Sequence, residues 1–191
     1  MDTSLVSQIV IAAATLLASL GGYVLAGRNE NRRDARTMHR ELQLRNSERA
    51  ARLDDQRHAL QRETLLALQD AVQAMARFTS QIMHFDHMQA RQGEYTHLPG
   101  TLSDDSYANL VEVRRLQSRI LDANVRDAVD RCVLLSRRLS TSPSDLEGLS
   151  GENLERHVMT KFGEFHDGYE SASNILGEAV RREIAWQPLT A

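Results

Sequence analysis

Leu65-Leu66-Ala67-Leu68-Gln69-Asp70-Ala71-Val72-Gln73-Ala74-Met75-Ala76-Arg77-Phe78-Thr79-Ser80-Gln81-Ile82-Met83-His84-Phe85-Asp86 is the most regular stretch of the chain. Leu65, Leu68, Val72, Met75, Thr79, Ile82 and Asp86 keep a strict three-four spacing, and Leu66, Phe78 and Phe85 widen the stripe. That spacing puts the apolar side chains on one face of a helix, and such a face needs partners to bury it. Two later stretches supply them. Leu121, Val125, Ala128, Cys132, Leu135 and Leu139 form one stripe. Leu154, Val158, Phe162, Phe165, Tyr169, Ala172, Leu176 and Ala179 form the other. No run of period two stands out, so the class is all-α.

The punctuation sets the boundaries. Residues 28–92 contain neither Gly nor Pro, the main helix breakers, so one helix should run from the basic segment to Gln92. Gly93 and then Pro99-Gly100 end it. Ser103-Asp104-Asp105 reads as an N-terminal signature, a capping oxygen followed by acids at the positive end of the dipole. The spacing predicts a second helix over residues 104–139, with Arg137 and Arg138 in its last turn. Ser144 to Glu147 offers a short capping-box turn, and a third helix should span residues 152–186 before Pro188. Three amphipathic stretches of about 35 residues, each about 50 Å long, make an antiparallel three-helix bundle.

Working back toward the N-terminus, residues 28–62 carry charge on most faces, with Met38, Leu42, Leu44, Leu53 and Leu60 as sparse apolar positions. Glu41→Arg45 and Glu48→Arg52 have the favourable i,i+4 order. This is a stalk or a weak coiled coil rather than the wall of a core. Before it, residues 5–26 hold no charged side chain. A helix of that length reaches about 33 Å, enough for the hydrocarbon core of a bilayer. The leader Met1-Asp2-Thr3-Ser4 lacks the basic n-region of a signal peptide, and the apolar run is longer than a signal h-region, so the segment is expected to stay as an anchor. Arg28, Arg32, Arg33 and Arg36 follow it and no basic residue precedes it, which predicts an outside N-terminus and a cytoplasmic C-terminal domain. Those four Arg are expected to face lipid headgroups and fix topology. Ala14, Ala18, Gly22 and Ala26 put a small residue at every fourth position, a face on which two anchors can approach closely and form a homodimer.

The expected organisation is an anchor at 1–27, a stalk at 28–62, a bundle at 63–187 and a tail at 188–191. Charge follows these divisions. Residues 28–62 hold ten Arg against six acids, a net of +4, while residues 63–191 hold 13 basic residues against 19 acids, a net of −6. The basic segment suits anionic lipid, and the acidic domain argues against nucleic acid as a partner. Cys132 has no second Cys to pair with, in keeping with a reducing compartment, and on its stripe it reads as a small buried hydrophobe.

Few residues suggest chemistry. His84-Phe85-Asp86-His87 is the best candidate: His84 and His87 share a helix face, Asp86 points elsewhere, and Glu94 and His97 in the next loop could complete a metal shell. Histidines near a helix C-terminus also have a plain role with the dipole and water. Glu94-Tyr95-Thr96-His97 is a single Glu-x-x-His, whereas di-iron bundles need two on facing helices. His157, Lys161, Glu164, His166 and Asp167 read as the solvated face of the last helix. No phosphate loop, nucleophile elbow or Cys-x-x-Cys occurs. No catalytic residue, cofactor or metal is therefore expected.

Arg28-Asn29-Glu30-Asn31-Arg32-Arg33-Asp34-Ala35-Arg36 after the apolar run gives the chain a layout that resembles small bacterial single-pass inner-membrane proteins with an Arg-rich juxtamembrane helix and a cytoplasmic helical domain. That resemblance implies an architecture and no activity. The expected function is a non-enzymatic, membrane-tethered helical interaction module, with membrane lipid, a second copy and an unidentified protein as partners. The alternatives are a signal relay through the stalk and a metal-dependent enzyme built on His84 and His87.

Overall fold

The computed structural model describes residues 3–94, 96–140 and 143–187; the side chains of residues 3–13, 20, 23–32, 35, 143 and 144 lie outside that description. The chain is helical: α1 (Thr3–Gln92), α2 (Gly100–Gln117), α3 (Ala123–Leu139), a short 3₁₀ turn (Pro143–Leu146) and α4 (Gly151–Ala185). It divides into two compact units, Met1–Leu53 and Asp54–Ala191. In the first, the described side chains are all exposed. The second holds the core.

Among the described residues no helix is long and apolar enough to cross a membrane. The anchor expected at residues 5–26 falls mostly on side chains outside the description. Ala14, Thr15, Leu16, Leu17, Ala18, Ser19, Gly21 and Gly22 are described, and all are exposed on α1.

The stripe of α1 is buried as the spacing predicts: Leu65, Leu68, Val72, Met75, Thr79, Ile82 and Asp86 are all inside. Against them pack Val113 and Leu116 from α2, Ile120 from the turn that follows it, Val125, Val129, Cys132 and Val133 from α3, and Ala172, Leu176 and Ala179 from α4. A fully buried Leu or Val contributes about 1.5–3 kcal/mol, so this face is the main source of stability. The second unit also takes in residues 54–62, which charge alone assigns to the stalk. They already hold partners: His58 Nδ1 lies 2.6 Å from Glu183 Oε2, and Gln61 Nε2 donates to the Arg119 carbonyl at 3.0 Å.

The second expected helix is two helices. Residues 118–122 reverse the chain without Gly or Pro, and the bundle has four helical segments rather than three. Backbone N–H groups of Arg119 and Ile120 donate to the carbonyls three residues back, closing α2 tightly. The remaining polar groups of the turn are taken by side chains. Gln61 accepts from the Leu121 N–H, and Arg126 Nη1 donates to the carbonyls of Ile120 and Leu121 at 2.7 and 2.8 Å. Asp122 Oδ1 caps α3 by accepting from the N–H groups of Asn124 and Val125. The sequence carries a trace of this reversal: Ile120 and Val125 are five apart, a break in the three-four spacing. Leu121, placed on the stripe by sequence, is 63% exposed at the tip of the turn.

Hydrogen bonds fix the directions. Asn109 Nδ2 donates to the Ala71 carbonyl while Gln61 reaches Arg119, so α2 runs antiparallel to α1. Thr79 meets Ser136 at 2.6 Å and Gln61 meets Leu121, so α3 runs parallel to α1. His58–Glu183 and His87–Glu155 make α4 antiparallel to it. At Gly168 α4 lies against α3: a Cβ there would run into the side chain of Leu135.

The glycine end read from sequence for α1 is present, the cap read for the second helix is not, and the side chain of Ser144, read as a capping-box residue, lies outside the described residues. Gly93, at φ +70°, ends α1 in the left-handed region, and Gln89 ties down the loop through Thr96. Helix α2 begins at Gly100 with Pro99 as its N-cap and no side-chain cap. Ser103 is already inside the helix, its N–H bonded to the Pro99 carbonyl, so it is not the cap.

Candidate functional site

The expected small-residue face and the basic cluster belong to the first unit. Ala14, Ala18 and Gly22 are exposed on α1, and a Cβ on Gly22 would meet nothing within 4 Å. Arg33 and Arg36 are exposed. The side chains of Ala26, Arg28 and Arg32 lie outside the described residues. Further along, Met38, Leu42, Leu44 and Leu53 are exposed apolar side chains. The i,i+4 partners Glu41/Arg45 and Glu48/Arg52 do not close into ion pairs, and all four charges stand without a partner among the described residues.

The histidine cluster does not assemble. His84 is exposed, whereas His87 is buried and lies 3.2 Å from Glu155 Oε1. Asp86 is buried, as its place on the α1 stripe predicts, and His87 is buried as well. Glu94 and His97 are exposed. Among the described residues no group of three His, Cys, Asp or Glu is placed to hold a metal ion. Glu155 also accepts from Arg91 Nε at 2.7 Å, and these two hydrogen bonds hold its carboxyl below the usual range. Their visible effect is to tie the end of α1 to the start of α4. Cys132 is buried, and loss of water pushes its thiol up to about 11, which leaves it protonated and inert at neutral pH.

No protein family, curated protein or solved structure matches this chain. Its sites are therefore defined by their own geometry.

Asp86 lines a void of about 10 Å³ with Met83, Leu139, Leu146, Val158, Lys161 and Phe162. That is about the space one water needs. Burial pushes the carboxyl up to about 6, and the nearby Lys161 charge pulls the other way. Lys161, the only Lys of the chain, reaches from α4 to Asp145 Oδ2 on the 3₁₀ turn at 2.9 Å. Sequence put Lys161 on a solvated face; instead its side chain is mostly covered, with 17% exposed. A lysine three residues after Val158 and four before Phe165 sits at the edge of the stripe, which was the available signal. The position of Asp86 on the α1 stripe was the other.

A second cluster stands where α4 ends. The rings of His58 and Trp186 stack at 4.0 Å with an interplanar angle of 18°, beside the His58–Glu183 contact. Arg182 pairs with Asp122 at 2.6 Å, linking α4 to the α3 cap. These groups serve each other and fasten α4 across α1 and the turn. Periodicity gave no sign of them, because residues 125 apart in sequence carry no mutual signal.

Proposed function

We propose that this protein is a non-enzymatic, membrane-tethered helical interaction module, with its second unit on the cytoplasmic side of a bacterial inner membrane. The observation that carries the reading is the first unit's helix. Leu16 and Leu17 are 63% and 71% exposed, and Met38 and Leu42 are exposed as well. A helix whose apolar side chains are exposed within its own unit draws stability from its surroundings. For residues 5–26, free of charge throughout, the suitable surroundings are lipid. Arg28, Arg32, Arg33 and Arg36 then lie at the headgroups and hold the C-terminal side in the cytoplasm. The remaining side chains favour structure over chemistry: the buried thiol is protonated, and the His, Glu and Arg clusters are spent on one another.

The partner in the stalk is a second copy. Glu41, Arg45, Glu48 and Arg52 stand unpaired beside exposed Leu42 and Leu53. A neighbouring stalk supplies both an apolar contact and opposite charges, and the Ala14/Ala18/Gly22/Ala26 face lets the anchors meet.

Alkaline carbonate washing of membranes tests the tether. The full chain should stay with the membrane pellet, and a chain lacking residues 1–27 should leave it. Release of the full chain contradicts the tether. Leu42→Cys in a Cys132→Ser background tests the dimer. Oxidation should give a disulfide-linked dimer whose yield falls when Gly22→Ile is added, and equal yields remove the anchor interface.

A further inference from the structure

Along the α1–α4 seam of the second unit runs a groove of about 480 Å³, lined by these two helices alone. Its size falls within the range of small-molecule sites, about 300–1,000 Å³. Ala76 and Phe165 are buried at its base, and the rings of Phe162 and Tyr169 are partly exposed along it. Arg77 and His166 are the ionisable side chains on the rim besides Tyr169, and the rest of the polar lining is neutral Gln and Ser. No acid lines it, in a region whose net charge is −6. Arg77 is exposed and has no ion-pair or hydrogen-bond partner among the described residues. His166 has only a 3.9 Å approach from Glu170.

The geometry points to this groove as a binding site for an aryl carboxylate: a flat apolar body against Phe162 and Tyr169, and one carboxylate on the Arg77 guanidinium. Each part of that class follows from the lining. Aromatic walls favour a flat ring, by offset stacking or edge-to-face contact. A single free guanidinium matches one carboxylate through its two-pronged fork. One guanidinium is too little for a multiply charged phosphate, and no helix N-terminus lines the groove to add backbone donors. A neutral ligand of the same shape keeps the ring contacts and loses the charge-assisted pair. The groove therefore prefers the anion to its neutral isostere, and the preference resides in Arg77.

The test uses the full chain in detergent micelles, with 4-fluorophenylalanine at its four Phe positions. Fluorine NMR then reads the groove directly through Phe162 and Phe165, while Phe78 and Phe85 serve as internal controls. The probes are 2-naphthoate and its neutral isostere 2-naphthamide. Naphthoate should shift the Phe162 and Phe165 resonances in a saturable way and bind at least about fivefold more tightly than naphthamide. Arg77→Gln should abolish that difference while leaving naphthamide binding unchanged, and Arg77→Lys should keep part of it. Because Arg77 is exposed and unpaired, unchanged Phe78 and Phe85 resonances should confirm that the variants are folded. The proposal is overturned if millimolar naphthoate leaves Phe162 and Phe165 unmoved, if naphthamide binds as tightly to the wild type, or if the preference survives in Arg77→Gln.

Discussion

Replacing Asp86 with Asn should stabilise the protein at neutral pH, although Asp86 sits near the only Lys of the chain. In the folded state burial raises this carboxyl from 3.8 to about 6. Between those two values the folded state holds a proton that the unfolded state has lost, so stability falls as pH rises through the window. Above the folded value the penalty is complete. At about 1.4 kcal/mol per pH unit it amounts to roughly 3 kcal/mol, with the attraction of Lys161 already counted. Asn resembles the protonated acid in shape and carries no charge. Asp86→Asn should therefore gain between about 1 and 3 kcal/mol at pH 7.5, and nothing below about pH 3, where the wild-type carboxyl is neutral in both states. Urea unfolding followed by Trp186 fluorescence is the assay, since Trp186 is the only Trp and packs on α1 through His58. A midpoint at pH 7.5 no higher than wild type, or the same gain at pH 4, refutes the reasoning.

Other substitutions probe the packing and the chain reversal. Leu68→Ala removes a side chain with no exposure from the centre of the core and should cost about 2–5 kcal/mol in the same urea assay. Gly168→Ala makes the end of the partly exposed Leu135 side chain turn aside and should stabilise less than Gly163→Ala, which meets nothing within 4 Å and should stabilise by about 0.5–1 kcal/mol. Asp122→Ala removes the α3 cap and the partner of Arg182 and should cost about 1–2 kcal/mol, read as faster amide exchange in residues 118–126. Native Cys132 should react with a thiol reagent only as fast as the fold opens, so urea below the transition should accelerate it.

The part of the fold that sequence revealed is the part written in local periodicity. The α1 stripe from Leu65 to Asp86 and the α4 stripe from Leu154 to Ala179 were legible because a core face must recur every three to four residues. The reversal at residues 118–122 escaped because its polar groups are satisfied by Gln61, Arg126 and Asp122 rather than by Gly or Pro. Gln61 lies about 60 residues away, and nothing local marks it as a cap for another helix's end. His84 and His87, the candidate pair that sequence raised and set aside, have different surroundings for a related reason. An i,i+3 spacing puts two residues on neighbouring parts of a face, and the edge of the buried zone runs between them. Lys161 shows the limit of composition: a charged residue at a stripe edge goes inward when an acid waits there, and Asp86 and Asp145 both do.

The tether decides the proposed function, and the side on which the second unit lies tests it most directly. A dual reporter of alkaline phosphatase and β-galactosidase fragments, fused after Ala191 of the full chain, reads that side in living bacteria. The positive charge after residues 5–26 predicts galactosidase activity without phosphatase activity, in a fusion that remains in carbonate-washed membranes. Phosphatase activity from the same fusion, or its loss from the membranes on washing, contradicts the account.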